Sequence, residues 1–525
     1  MRLVTVDQMR RLEARAEEAG VSTTQLMENA GLAAAAAVRD MLGGLEGRRI
    51  LILVGPGNNG GDGLVAGRHL RRWGADVTHY LCAPRPDADP PAAAAQRAGI
   101  PALHASQDAG LSWLSSILRT SHVVIDAVLG TGRARPLGEP LVSVFAAVHK
   151  TRDQASQPLI VALDVPTGLD ADTGVADPHT LAADLTLTLG HPKSGLFNRD
   201  GPTVTGNVRC LPIGIPAGLD TDIPREVITA GSVRAMLPRR LPHAHKGSNG
   251  KALVIAGSQN YVGAVGLAAK GAGRSGAGLV TVAAPAGLQP YVAGVMPEAT
   301  HMPLPEGPVP GILDMVAMSA LSSVSDYDAF LVGCGVGHHQ RTVQFLRALL
   351  LQPDGLRMAP IVLDADALGC MAGVADWWAS LPSPAILTPH PGEMSRLTGL
   401  STQEVQADRL NVAEAHARKW GVVVVLKGAY TVVAAPQGQT RISPWAVPAL
   451  ATAGTGDVLA GVIVGLLAQG LTPFDAASGG VYLHALAGRM ASTGRGNIGL
   501  LASDLFDHLP KAIDAVMTAP ESLEW

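Results

Sequence analysis

Short β-branched runs alternate with longer alanine-rich segments, and they do so twice along one chain, which leaves few folds open. In the first half the runs are RILILVG from Arg49, ADVTHYL from Ala75, HVVIDAV from His122, PLIVALD from Pro158 and ADLTLTLG from Ala183. Segments such as GLVAGRHLRRWG from Gly63 read as helices between them. The second half restarts the pattern with KALVIAGS from Lys251, GLVTVAAP from Gly278, DAFLVGCG from Asp328, PIVLDADAL from Pro360, PAILTPHPGE from Pro384, VVVVLKG from Val422 and YTVVAAP from Tyr430. Near-continuous apolar strands separated by helices predict an α/β architecture with parallel sheets between helical layers. At 525 residues the chain exceeds what one core supports. The Pro- and Gly-containing stretch LPIGIPAGLDTDIPR, 211–225, reads as a linker and places domains at 1–222 and 223–525.

A net charge of −4 gives no electrostatic reason to expect nucleic acid or an acidic membrane as partner. Cys82, Cys210, Cys334 and Cys370 form no C-x-x-C pair, so neither a zinc site nor a disulfide framework is indicated, and buried thiols in a reducing cytoplasm are expected. The N-terminal MRLVTVDQMRRLEARAEEAG is charged throughout and lacks the apolar stretch of a signal peptide. No apolar run is long enough to span a membrane.

Strand ends carry the chemistry of the first half. GPGNNGGDG, Gly55 to Gly63, fits G-x-G-x-x-G, but no acidic residue ends the next strand. Two asparagines and Asp62 instead add polar side chains to the turn. Asn59, Asp126 and Thr167 are oxygen-bearing groups near strand ends, the composition of a hard-cation site, and Asp164 is the best-placed acid–base candidate. GPGNNGGDG, DAVLGTGRARP and ALDVPTGLDADTG resemble the N-terminal, Rossmann-like epimerase domain of the bifunctional NAD(P)H-hydrate repair enzymes. The resemblance implies that Asn58, Asn59, Gly60, Gly61 and Asp62, with Gly130, Thr131, Gly132, Arg133, Ala134, Arg135 and Pro136, bind the hydrated dinucleotide. It further implies a potassium ion on Asn59, Asp126 and Thr167, with Asp164 at the reacting ring.

In the second half, Gly257 to Gly278 and Leu331 to Gln340 read as Gly-rich turns without a Walker sequence. His390 lies between two prolines in TPHPGEMSRL, and Lys427 and Gly428 fall in the turn of a hairpin, VVLKGAYTVVA. AGTGDVLAG opens an apolar helix whose glycines leave an anion hole and whose Asp457 is suited to deprotonate a hydroxyl. That turn resembles the ribokinase-like fold. With HKGSNGKALVIAGS, VLDADAL, TPHPGEMSRL and VVLKGAY it is similar to the ADP- or ATP-dependent dehydratase domain of the same repair enzymes. By resemblance Ala264, Gly337, His390 and Asp457 contact the hydrate, and Lys427, Gly428, Ala429, Tyr430, Thr431 and Gly456 contact the nucleotide.

The resemblance implies a three-layer sandwich in each domain, NADHX and NADPHX as substrates, magnesium with the nucleotide, and self-association. Family likeness tilts the nucleotide to ADP; no residue separates it from ATP. Two other readings stay open at this point: a ribokinase-type small-molecule kinase, and a first domain that only senses a dinucleotide.

Overall fold

The computed structural model describes residues 1–518 apart from 87, 133–135, 153–156, 322, 323, 325, 353, 354, 357, 358 and 383. The chain divides into two compact units, Arg2–Arg225 and Glu226–Trp525, the latter taking in Met1.

The first unit is built on β1 (Arg49–Val54), β2 (Asp76–Leu81), β3 (Ala102–His104), β4 (Val123–Ala127), β5 (Leu159–Leu163), β6 (Leu185–Leu189) and β7 (Asn207–Leu211) in the order β3-β2-β1-β4-β5-β6-β7. All its pairings are parallel. Consecutive side chains of a strand face opposite sides. Ile50, Ile52 and Val54 therefore enter one core with Leu12, Ala34, Val38 and Leu70 from helices α1 (Val6–Glu18), α2 (Thr23–Leu42) and α3 (Asn58–Arg72). Leu51 and Leu53 enter a second core with Leu118, Phe145 and Val148. Both faces are thus covered by helices, as the apolar strands require. The stretch read as a linker is partly core: β7 reaches Leu211, and Ile213 and Ile223 are buried. Its isoleucines supply the burial that a free linker lacks.

The second sheet runs β11-β10-β9-β12-β13-β14-β15-β16-β17-β8. Its members are β8 (Arg225–Val227), β9 (Lys251–Ile255), β10 (Leu279–Pro285), β11 (Thr300–Leu304), β12 (Ala329–Val332), β13 (Ile361–Leu363), β14 (Ala385–Leu387), β15 (Val423–Leu426), β16 (Val432–Ala434) and β17 (Thr440–Ile442). Pairing is parallel from β11 to β15 and antiparallel from β15 to β17.

Most of the Gly-rich segment 257–278 is not a turn. Val262–Arg274 is a helix, packed against a second helix, Thr455–Ala468, that is apolar almost all round and buried. The glycines serve close approach. A Cβ on Gly461 would lie 2.1 Å from the Ala268 carbonyl oxygen, and one on Gly271 2.6 Å from that of Val458. Backbone meets backbone, so small residues are compulsory at this crossing. Among the described residues no helix is long and apolar enough to cross a membrane.

Candidate active sites

Strand order places both sites. In each sheet the connections diverge to opposite sides, between β1 and β4 in the first and between β9 and β12 in the second, and crevices open beyond the strand C-termini at such switch points.

At the first switch point lies a cavity of 640 Å³ lined by Asn58, Asn59 and Asp62, by Gly130, Thr131 and Gly132, and by Asp164, together with residues of α1 and α2. The turn expected around Asn58 to Asp62 is in fact the first turn of α3, with Gly57 as N-cap. Amides and dipole thus face the cavity, a ready anion site. Gly60 permits this: a Cβ there would lie 2.1 Å from the Gly55 carbonyl oxygen. Gly61 abuts Met27 of α2. Pro136 is exposed and does not line the cavity. Arg133, Ala134 and Arg135 lie outside the described residues.

Asp126 and Thr167 do meet. The Thr167 hydroxyl donates to Asp126 Oδ1 at 2.7 Å, and the Thr167 N–H donates to Oδ2 at 2.8 Å. Burial pushes the Asp126 carboxyl up. Asn59 is buried with neither side-chain polar atom hydrogen-bonded. An orphaned amide oxygen beside an all-oxygen set suits a hard monovalent cation.

Asp164 adopts a left-handed backbone, φ +66°, in a three-residue turn closed by the Val165 N–H donating to the Leu163 carbonyl at 2.9 Å. Such a conformation costs about 1–3 kcal/mol and persists where surroundings over-determine it. Here the Asp164 N–H donates to Leu187 at 2.8 Å, and Lys193 clamps the side chain. The Lys193 ammonium, on a side chain 1% exposed, donates to Asp164 Oδ1 at 2.5 Å, to the Leu189 carbonyl at 2.8 Å and to Thr188 Oγ1 at 3.4 Å. Sequence reasoning missed this lysine. Burial pushes the Asp62 carboxyl well above the usual range, and the Asp164 and Glu13 charges add to it.

The second site gathers around Asp457, the third residue of the helix Thr455–Ala468, whose N-cap Gly454 has φ +87°. Asp364, just past β13, and Cys334, just past β12, place one ligand atom each within 4.8 Å of one another and of Asp457. Burial first, then the Asp364 charge, push the Asp457 carboxyl up to about 7. Lys427 does not project into solvent. Its ammonium bonds Asp364 Oδ1 at 2.7 Å and lies 3.8 Å from Glu393, and a Cβ on Gly456 would lie 3.5 Å from it. Burial pulls the lysine down, but the two carboxylates outweigh it and hold it above the usual range. Thr388 Oγ1 also donates to Asp364 Oδ1, at 2.7 Å.

The remaining expected residues take these places. Ala264 packs against Gly335, whose Cβ would lie 2.6 Å away, and Gly337, φ +81°, donates its N–H to Asp366 at 2.8 Å; both stand at the β9/β12 switch. His390 is an N-cap: its Nδ1 accepts from Gly392 and Glu393, while its own N–H donates to Glu393 Oε2 at 2.8 Å. The flanking prolines build a capped helix start with a half-exposed ring. Gly428, φ +147°, sits against the Arg409 guanidinium, Thr431 Oγ1 donates to the Gly428 carbonyl at 2.9 Å, Ala429 is exposed, and Tyr430 is buried.

Residues 252–511 match the family model described as NAD(P)H-hydrate dehydratase, and residues 23–195 the one described as YjeF-related protein N-terminus. The chain is 40% identical over 520 residues to a bifunctional NAD(P)H-hydrate repair enzyme of Moorella thermoacetica, covering 97% of this chain and 96% of that one. It is also 40% identical over 515 residues to one of Salinibacter ruber, covering 94% and 93%. An ADP/ATP-dependent NAD(P)H-hydrate dehydratase of Bacillus subtilis, co-crystallised with ATP and Mg2+, aligns over 55% of this chain and 98% of its own, at 33% identity and TM-score 0.48.

Proposed function

We propose, for a chain that belongs to the bifunctional NAD(P)H-hydrate repair enzymes, that the unit Arg2–Arg225 interconverts the R and S hydrates at Asp164 and the unit Glu226–Trp525 dehydrates the S form at Asp457. The chain is an epimerase and a dehydratase in one.

Hydration of an enamine puts the hydroxyl on the carbon bonded to nitrogen, so the damaged ring is a carbinolamine. Asp164 takes the hydroxyl proton; the carbonyl forms as the ring C–N bond breaks, its electron pair staying on nitrogen, which receives that same proton. The opened aldehyde has lost its stereocentre. Rotation and closure on the opposite face give the other epimer, with the carboxylate regenerated. The first turn of α3 and the Gly130 to Gly132 loop hold the phosphates. Asn59, Asp126 and Thr167 would hold K+, which supplies positive charge that ties α3 to the strand ends.

In dehydration hydroxide is a poor leaving group. Asp457 accepts the hydroxyl proton while the oxygen attacks the terminal phosphoryl group of ADP or ATP; the ring-nitrogen electron pair then expels phosphate, and loss of a proton from the adjacent ring carbon to phosphate or water re-forms the dihydropyridine. The glycine-opened helix stabilises phosphoryl charge, and Lys427, held between Asp364 and Glu393, presents a cation at the same place. Cys334, Asp364 and Asp457 do not make a magnesium cage: a thiol is one of the three, and Asp364 is engaged by Lys427 and Thr388. Mg2+ would come with the nucleotide and would supply counter-charge to its phosphates.

The observation that carries this reading is Asp457, a carboxylate raised to about 7 at a glycine-opened helix N-terminus, with the Lys427 ammonium beside the same turn. Incubating the protein with S-hydrate and ADP or ATP is expected to restore dihydropyridine absorbance with equimolar phosphate release. A stable phosphorylated product without that recovery would instead identify a small-molecule kinase.

A further inference from the structure

We propose that Lys193 is a positioning residue for epimerisation: it occupies one oxygen of Asp164 so that the other alone is presented to the hydrated ring. This rests on the reading of Asp164 as the proton carrier.

Lys193 is fixed from both sides. Its backbone is bridged to Val4, with the Val4 N–H donating to Pro192 and the Ser194 N–H donating to Val4, each at 2.9 Å. Its three ammonium hydrogens have three acceptors, Asp164 Oδ1, Leu189 O and Thr188 Oγ1. A fully engaged ammonium does not serve as the proton donor to substrate. It holds an orientation instead. The Leu189 N–H reinforces the hold by donating to the same Oδ1 at 3.1 Å. Oδ2 is thereby turned toward the Gly130 loop, 3.4 Å from where a Cβ on Gly130 would lie, and so toward the cavity that both residues line.

The chemistry needs that asymmetry. The hydroxyl and the ring nitrogen share one carbon, so a single fixed oxygen reaches both atoms, whereas a carboxylate free to rotate presents either oxygen in any direction. Among the described residues, the other charged groups on the cavity wall are Arg10 and Glu13 from α1 and Asp62 from α3. Without Lys193, Oδ1 keeps only the Leu189 N–H at 3.1 Å and the Thr188 hydroxyl at 3.5 Å, too weak a hold to fix the plane of the carboxylate.

The test uses the full chain with separated R-hydrate as substrate; the melting profile of each variant shows whether its first unit is folded, and S-hydrate dehydration gives the amount of active second unit. Lys193→Met keeps the side-chain length and removes the charge. It is expected to lower the epimerisation kcat about 100-fold and to leave KM within roughly threefold. Lys193→Arg restores about tenfold of the loss, and ethylammonium restores Lys193→Ala saturably. Lys193→Met with wild-type kcat, or with a loss confined to KM, overturns the proposal. So does a folded Lys193→Ala that ethylammonium leaves unchanged. Asp164→Asn separates the layers: full epimerisation by that variant defeats the proton-carrier reading itself, while an inactive Asp164→Asn beside an active Lys193→Met defeats only the role of Lys193.

Discussion

Asp457 sits where its fold would rather not hold a charge. Its carboxyl is raised from the ordinary carboxylate range to about 7 by burial and by Asp364. The sign follows: the stability of the protonated form is complete below pH 4 and is lost as pH climbs through about 7. The base form grows over the same interval, so the dehydration rate is expected to rise with pH up to about 7 and then level. Asp457→Asn is expected to abolish dehydration. It should also raise Tm at pH 8 while leaving it nearly unchanged at pH 4, a gain on the order of 4 kcal/mol at the higher pH. Paired rate and melting measurements across pH check both halves. Asp457 was legible in the sequence because glycines and an apolar helix surround it. Asp364 and Lys193 were not: each pairs with a residue far along the chain, Asp364 with Lys427 across 63 positions and Lys193 with Asp164 across 29. A single sequence carries no record of such pairings.

Among elements, the helix pair Val262–Arg274 and Thr455–Ala468 sets where Asp457 stands. Gly461→Ala drives a methyl into the Ala268 carbonyl. It is expected to destabilise the unit by about 2–3 kcal/mol and to slow dehydration, read by melting and turnover together. Glycine content alone suggested a turn here, because permissive backbone and close packing leave the same letters. The same helix start is clamped by His484, whose Nε2 donates to the Thr455 carbonyl at 2.9 Å. Burial pulls this imidazole down to about 4. A histidine kept neutral when folded contributes stability above its ordinary range near 6.5, which is lost as pH falls through about 4. His484→Gln keeps a donor for the carbonyl and is expected to flatten that acid loss in pH-dependent melts. The continuous apolar runs were readable, whereas β3, β7, β8, β11 and β17, short and each interrupted by polar or charged residues, went unseen.

The whole molecule joins two reactions that share an intermediate, and one experiment separates them. Asp164→Asn tolerates the left-handed backbone and removes only the charge. Given a mixture of epimers and nucleotide, the variant is expected to consume the S fraction at the wild-type rate and then stop, where the wild type runs to completion. Absorbance progress curves distinguish the two outcomes. The two-unit plan was readable from the doubled strand–helix alternation, but the depth of each site came from strand order, which a linear pattern does not contain. The cost of charging Asp457 reaches past any single assay. Replacement of the carboxylate by its neutral isostere meets no resistance from folding above neutral pH and is even favoured by it. A lineage in which cofactor damage ceased to matter would drift toward a sturdier, silent protein, so the persistence of this carboxylate in a working chain depends on the damage itself.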